Sequence, residues 1–96
     1  MHFKELAPAF RRLRLRLMRT GLAKGDLVEL TTDVRYRERL DANHLASCPA
    51  GTRGLITAIG ATRQGGGVLL CLVDESGTPT RYWTGADVRE VRRLAA

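Results

Sequence analysis

The sequence predicts a mainly β protein: a small five-stranded barrel carrying an N-terminal amphipathic α-helix. Three observations point there. Short apolar, β-branched runs recur after residue 24, each closed by glycine, proline or aspartate. The first twenty residues space their apolar side chains as a helix does, not as a strand does. Ninety-six residues suit one small domain, and a closed barrel leaves such a domain no exposed strand edges. The expected division is a basic helix over 1–23 and a barrel over 24–96.

The helix is read from "RRLRLRLMR" at 11–19 and its surroundings. Its middle, residues 12–17, alternates arginine with leucine as a strand would. The wider window decides for a helix. Phe3, Leu6, Phe10, Leu13 and Leu17 are spaced 3, 4, 3, 4, which puts all five on one narrow helical stripe. Arg12, Arg16 and Arg19 fall on the opposite side. Pro8 fits a first helical turn and Gly21 a C-terminal stop, so the helix is expected over residues 8–20.

Five β segments follow. "GDLVEL" gives a first strand over 26–31. Residues 32–51 form a long connection in which Arg35, Arg37 and Arg39 alternate with other residues; a helical turn is expected around Tyr36–Leu45, with Asp33 as its N-cap. His44 reads as an exposed loop residue. "TRGLITAIGAT" gives a second strand over 53–60, and "RQGGG" at 63–67 a hairpin tip. "VLLCLV" at 68–73 is apolar throughout, which predicts a third strand covered on both faces. "DESG" at 74–77 is a turn. "PTRYWTG" is a fourth strand, with Tyr82 and Trp83 on opposite faces and Trp83 large enough to plug a barrel end. A tight turn at 85–87 leads to a last strand near 88–91.

In "KGDLVEL", "CPAGTRGLITAI", "VLLCLVDESG" and "YWTGADVREV" the chain resembles the SH3-like small β-barrel superfamily, in its bacterial KOW-like form. The resemblance spans residues 24–93 and rests on fold motifs. Similar barrels occur in ribosomal and transcription-factor domains that contact RNA, in protein-binding modules and in accessory subunits such as those of nitrile hydratases. One enzyme branch, the plasmid-type dihydrofolate reductases, carries a Val-Gln-Ile-Tyr strand where this chain reads "TRYWTG", so the resemblance does not imply that activity.

Charge is the strongest functional signal. The net charge is +6. Residues 1–24 hold seven basic residues against one acid, Glu5, whereas residues 25–96 hold nine of each sign. All the surplus lies in the N-terminal quarter, which suggests a polyanionic partner. The expected function is a small, non-enzymatic nucleic-acid-binding module. Arg11, Arg12, Arg14, Arg16, Arg19 and Lys24 would contact phosphates of RNA or DNA, and Tyr82 or Trp83 would be the bases' stacking partners. The alternative is a protein-interaction or accessory-subunit module, docking through the apolar stripe and loop 32–51, or pairing that stripe with its own copy in a homodimer.

Catalytic and metal chemistry find little support. His2, His44, Cys48 and Cys71 show no zinc-ligand spacing, so no metal or other cofactor is expected. His44 and Cys48 lie four apart, but no acid or oxyanion element accompanies them. "GGG" at 65–67 lacks the Lys-Ser/Thr of a phosphate loop. The longest apolar run, Val68–Val73, is too short to span a bilayer, so no stable membrane insertion is expected. Two cysteines without CxxC fit a cytoplasmic, reducing setting.

Overall fold

The computed structural model describes residues 21–63 and 65–94. The helix expected over 8–20 lies outside them. The described chain forms β1 (Leu27–Leu30), β2 (Val34–Arg35), β3 (Ser47–Cys48), β4 (Arg53–Thr62), β5 (Gly65–Val73), β6 (Pro79–Asp87), a 3-10 turn (Val88–Glu90) and β7 (Val91–Arg93). Two sheets result: an antiparallel five-stranded sheet in the order β6-β5-β4-β1-β7, and a two-stranded ribbon of β2 and β3.

The mainly β character holds, but the five-stranded barrel is corrected to an open sheet. No ladder joins its two edge strands, β6 and β7. The reason is local. The outer edge of β6 is occupied at Trp83 by a loop rather than a strand: the Leu45 N–H donates to the Trp83 carbonyl, and the Trp83 N–H donates to the Asn43 carbonyl. β7 is only three residues long and is held by β1. Among the described residues there is no α-helix, and the helical turn expected around Tyr36–Leu45 is replaced by the β2–β3 ribbon and the loop it carries. Asp33 caps no helix; its carboxylate accepts from the Ala50 N–H, tying the two ends of the ribbon together.

The remaining strands form where alternation demands, with shifted ends. The glycines at 65–67 are not a hairpin tip but the first residues of β5, paired to Thr62, Ala61 and Gly60. Arg63 lies in a turn after β4, and Gly65 opens β5 with φ of 127°. The last strand starts three residues later than expected because Asp87 caps the 3-10 turn first: its carboxylate accepts from the Arg89 N–H while Glu90 accepts from the Asp87 N–H. At 74–77 the turn is as expected. The Asp74 carboxylate accepts from the Ser76 and Thr78 N–H groups, and Gly77 supplies the left-handed residue with φ of 85°.

The core draws on every strand. Val28 and Leu30 of β1, Ile56 of β4 and Leu70 of β5 are almost fully buried, joined by Val34, Cys48, Val88 and Val91. Burial of each such side chain contributes about 1.5–3 kcal/mol. Leu22 also packs into this core, so the folded unit begins before β1. β5 differs from its expectation in one respect. Val68, Leu70 and Leu72 point inward; on the other face Cys71 and Val73 are half-buried and Leu69 is 44% exposed, so the described residues cover that face only in part.

Gly54 of β4 leaves no room for a side chain against β5. A Cβ there would sit 3.0 Å from the Cys71 carbonyl oxygen and 3.1 Å from Leu70 Cβ. Gly54→Ala is therefore expected to destabilise the fold by about 1–3 kcal/mol. Leu40→Ala, at a position 67% exposed, should stay within about 0.5 kcal/mol of the parent. Urea unfolding of the three proteins checks both values.

Candidate nucleic-acid interface

The long connection after β1 is built around one carboxylate. Asp41 accepts from the Asn43 N–H at 2.8 Å, from the His44 N–H at 2.9 Å and from the Trp83 indole N–H at 3.1 Å. Aspartate favours such a local turn because its short side chain reaches backbone donors two and three residues ahead. Here the same oxygens also reach across to β6. The Asn43 N–H above all, joined by the Trp83 and His44 donors, holds the Asp41 carboxyl below its ordinary 3.8 against an opposing effect of burial.

The turn inserts His44 against β6. Expected as an exposed loop residue, His44 is instead 0% exposed. Its ring stacks on Trp83 with centroids 4.4 Å apart and meets Tyr36 edge to face at 4.7 Å. Such aromatic pairs contribute about 0.5–1.5 kcal/mol each beyond area burial. Nδ1 accepts from the Leu40 N–H at 3.0 Å, which places the neutral ring's proton on Nε2. Nε2 is buried and has no hydrogen-bond partner among the described residues. The local sequence signal was the spacing Asp41-x-x-His44, which suits an aspartate turn but does not show what the turn faces.

The two stacking candidates are thereby both engaged. Trp83 is half-buried, with one face on His44 and its N–H on Asp41. Tyr82 packs against the core, while the Arg81 guanidinium lies 5.1 Å from its ring centroid and donates to its hydroxyl. Trp83 thus plugs no barrel end; it anchors the connection.

Of the six cationic candidates, Arg11, Arg12, Arg14, Arg16 and Arg19 lie outside the described residues. Lys24 sits exposed in the Ala23–Asp26 turn that leads into β1. A second set of guanidiniums joins it. Arg35, Arg37 and Arg39 are all exposed on the connection that Asp41 pins down, and none of the three forms an ion pair among the described residues. Arg39 donates to the Ala42 carbonyl, closing the loop on itself.

The carboxylates are differently placed. Asp87 pairs with Arg89, Glu29 with Arg92, and Asp26 with Arg93. Asp33, Asp41, Asp74 and Glu90 accept from backbone N–H groups. Seven of the nine acids in residues 21–94 are thus already engaged inside the fold, leaving Glu38 and Glu75. Burial pushes the Cys48 thiol above its ordinary 9.0, the direction opposite to that of an activated cysteine, and Cys48 donates to the Leu45 carbonyl rather than to His44.

Because the folded Asp41 carboxyl is depressed, its contribution is present in full above the unfolded value and is lost as pH falls through the folded one. Emission from Trp83, the single tryptophan, should therefore shift to the red only as pH drops below about 4. Asp41→Ala should show the shifted emission already at neutral pH. A fluorescence titration of both proteins checks this. No family model, curated protein or solved structure matches the chain, so the resemblance to SH3-like barrels rests on the quoted motifs alone.

Proposed function

We propose that the protein binds nucleic acid through phosphate contacts, without catalysis, in a reducing cytoplasmic setting. The observation that carries this reading is the imbalance between surplus guanidiniums and committed carboxylates. Residues 1–20 add six basic residues and one acid to a fold whose own acids are almost all in use. Surplus cations attract a polyanion and release its condensed counterions. Arg35, Arg37, Arg39 and Lys24 extend that surface onto the folded domain. Cys48 and Cys71, both unpaired, suit a reducing compartment.

The contacts are with backbone rather than bases. Both aromatic candidates for stacking, Tyr82 and Trp83, already have partners, so recognition rests on charge and shape. If the five N-terminal arginines neutralise five phosphates of a duplex, log affinity should fall against log salt with a slope near about −4.5. Changing Arg11, Arg12, Arg14, Arg16 and Arg19 to glutamine should flatten that slope and weaken binding of duplex DNA and of RNA alike. Fluorescence anisotropy at several salt concentrations measures this. Absence of binding by the parent protein at low salt overturns the reading.

A further inference from the structure

One stretch of strand keeps an open side. β4 runs from Arg53 to Thr62, but β1 pairs with it only as far as Leu55, and the backbone bonds of Gly25 and Asp26 reach no further than Ile56. A bulge follows between Ile56 and Ala58, after which Ala58–Thr62 pair regularly with β5 on one side. On the other side no strand lies beside them among the described residues. We infer that a second copy of the chain docks on this edge. The two β4 strands pair antiparallel about a two-fold axis at Gly60 and join two sheets into one.

Three observations carry the inference. First, the other strand edges among the described residues are protected. The outer edge of β6 is taken at Trp83 by Asn43 and Leu45. β7 is three residues long and carries Arg92 and Arg93, and β2 and β3 are two residues each. Charge, proline and shortness are the usual protections of an edge. Ala58–Thr62 has no charge and no proline, and its bulge lies before it. The described chain does not return to cover it. The Ala23–Asp26 turn carries Leu22 into the core and Gly21 against Arg93 of β7, on the far side of β1 from β4.

Second, Gly60 has no reason inside the chain. Glycine weakens a strand interior and marks the close approach of another backbone or group. A Cβ on Gly67 would lie 2.9 Å from Thr62 Cγ2, and one on Gly85 2.5 Å from the Tyr36 hydroxyl. A Cβ on Gly60 would meet nothing within 4 Å, and Gly60 has no positive φ. It is also the midpoint of Ala58–Thr62, the residue that meets its own counterpart at the axis. Third, the edge complements itself. Pairing about Gly60 sets Ile59 opposite the second copy's Ala61 and Ala58 opposite its Thr62, with no like charges facing. The nearest charge, Arg63, falls opposite the second copy's Thr57 and not its Arg63. The neighbouring surface is uncharged too: Tyr36, Ala58, Gly60, Leu69 and Gly85 border an apolar hollow of about 310 Å³ on the outer side of the sheet. A ladder this short makes a small interface, so the dimer forms only as concentration rises.

Sedimentation equilibrium and amide exchange on the full chain test this. Between micromolar and millimolar protein, the average mass should rise toward that of two chains, and exchange over Ala58–Thr62 should slow at least tenfold. Gly60→Lys and Gly60→Glu have room in the single chain. Each should stay monomeric over the same range with Trp83 emission unchanged. Mixing the two in equal amounts should restore the dimer, because opposite charges then meet at the axis. A parent protein that stays monomeric throughout overturns the inference. So does slow exchange of the edge at every concentration, which would assign its cover to the chain itself. A dimer that leaves that exchange unchanged, or that both variants still form, assigns the contact to another surface, the apolar stripe of the first twenty residues included, and overturns it as well. So does a mixture of the variants that stays monomeric. No nucleic acid enters the assay, so its failure leaves the phosphate-binding reading standing, and the converse holds.

Discussion

The fold depends on the anchoring of one connection, residues 31–46, to the edge of β6. A sheet edge presents unpaired backbone groups, and this one is blunted by a loop rather than by another strand. Asp41 makes that possible. Its carboxylate sets the turn and binds the Trp83 indole, which fixes where His44 enters. His44 then fills the space between Trp83 and Tyr36 at the expense of burying Nε2 without a partner among the described residues, a cost of about 1–3 kcal/mol that the stacked rings offset. The connection so held brings Val34 and Cys48 into the core and Tyr36 onto Gly85. Core, hollow and exposed arginines therefore share one support.

The distribution of charge follows from the same economy of partners. A small β domain has many backbone N–H groups at turns and strand ends that need acceptors. In this chain aspartate and glutamate supply them at Asp33, Asp41, Asp74 and Glu90, and three more acids pair with arginines of the fold. Carboxylates used in this way hold turns in shape. The acids of residues 25–96 thus have structural uses, whereas the first twenty residues hold the surplus of positive charge.

Much of the sheet was legible in the sequence because its signals are local. Gly-Asp before β1, the Asp74–Gly77 turn and the alternation of β4 each carry their instruction within a few residues. The barrel was misjudged because closure is a long-range property: it depends on what occupies the edge of β6, and Asp41 and Trp83 lie forty-two positions apart. His44 was misread for the same reason, since nothing beside it in sequence shows that an indole awaits it. The glycines of 63–67 look like a loop in isolation, yet strand pairing overrides their low β propensity once Ala61 and Asp87 lie opposite them. The cationic site residues were legible as a cluster of charge, whereas Arg35, Arg37 and Arg39 gained meaning only when their loop proved to be fixed.

That uniformly apolar β5 is where sequence and structure jointly say most. Composition asks for two covered faces, and the core supplies one. An outer face left to water would expose Leu69, Tyr36 and an uncharged strand edge together, an arrangement that invites edge-to-edge association. Tyr36 meets part of that need: its hydroxyl rests against Gly85 and its ring closes one side of the hollow beside Leu69. The ribbon that Asp41 anchors therefore serves both faces of the sheet, giving Val34 and Cys48 to the core and Tyr36 to the outer side.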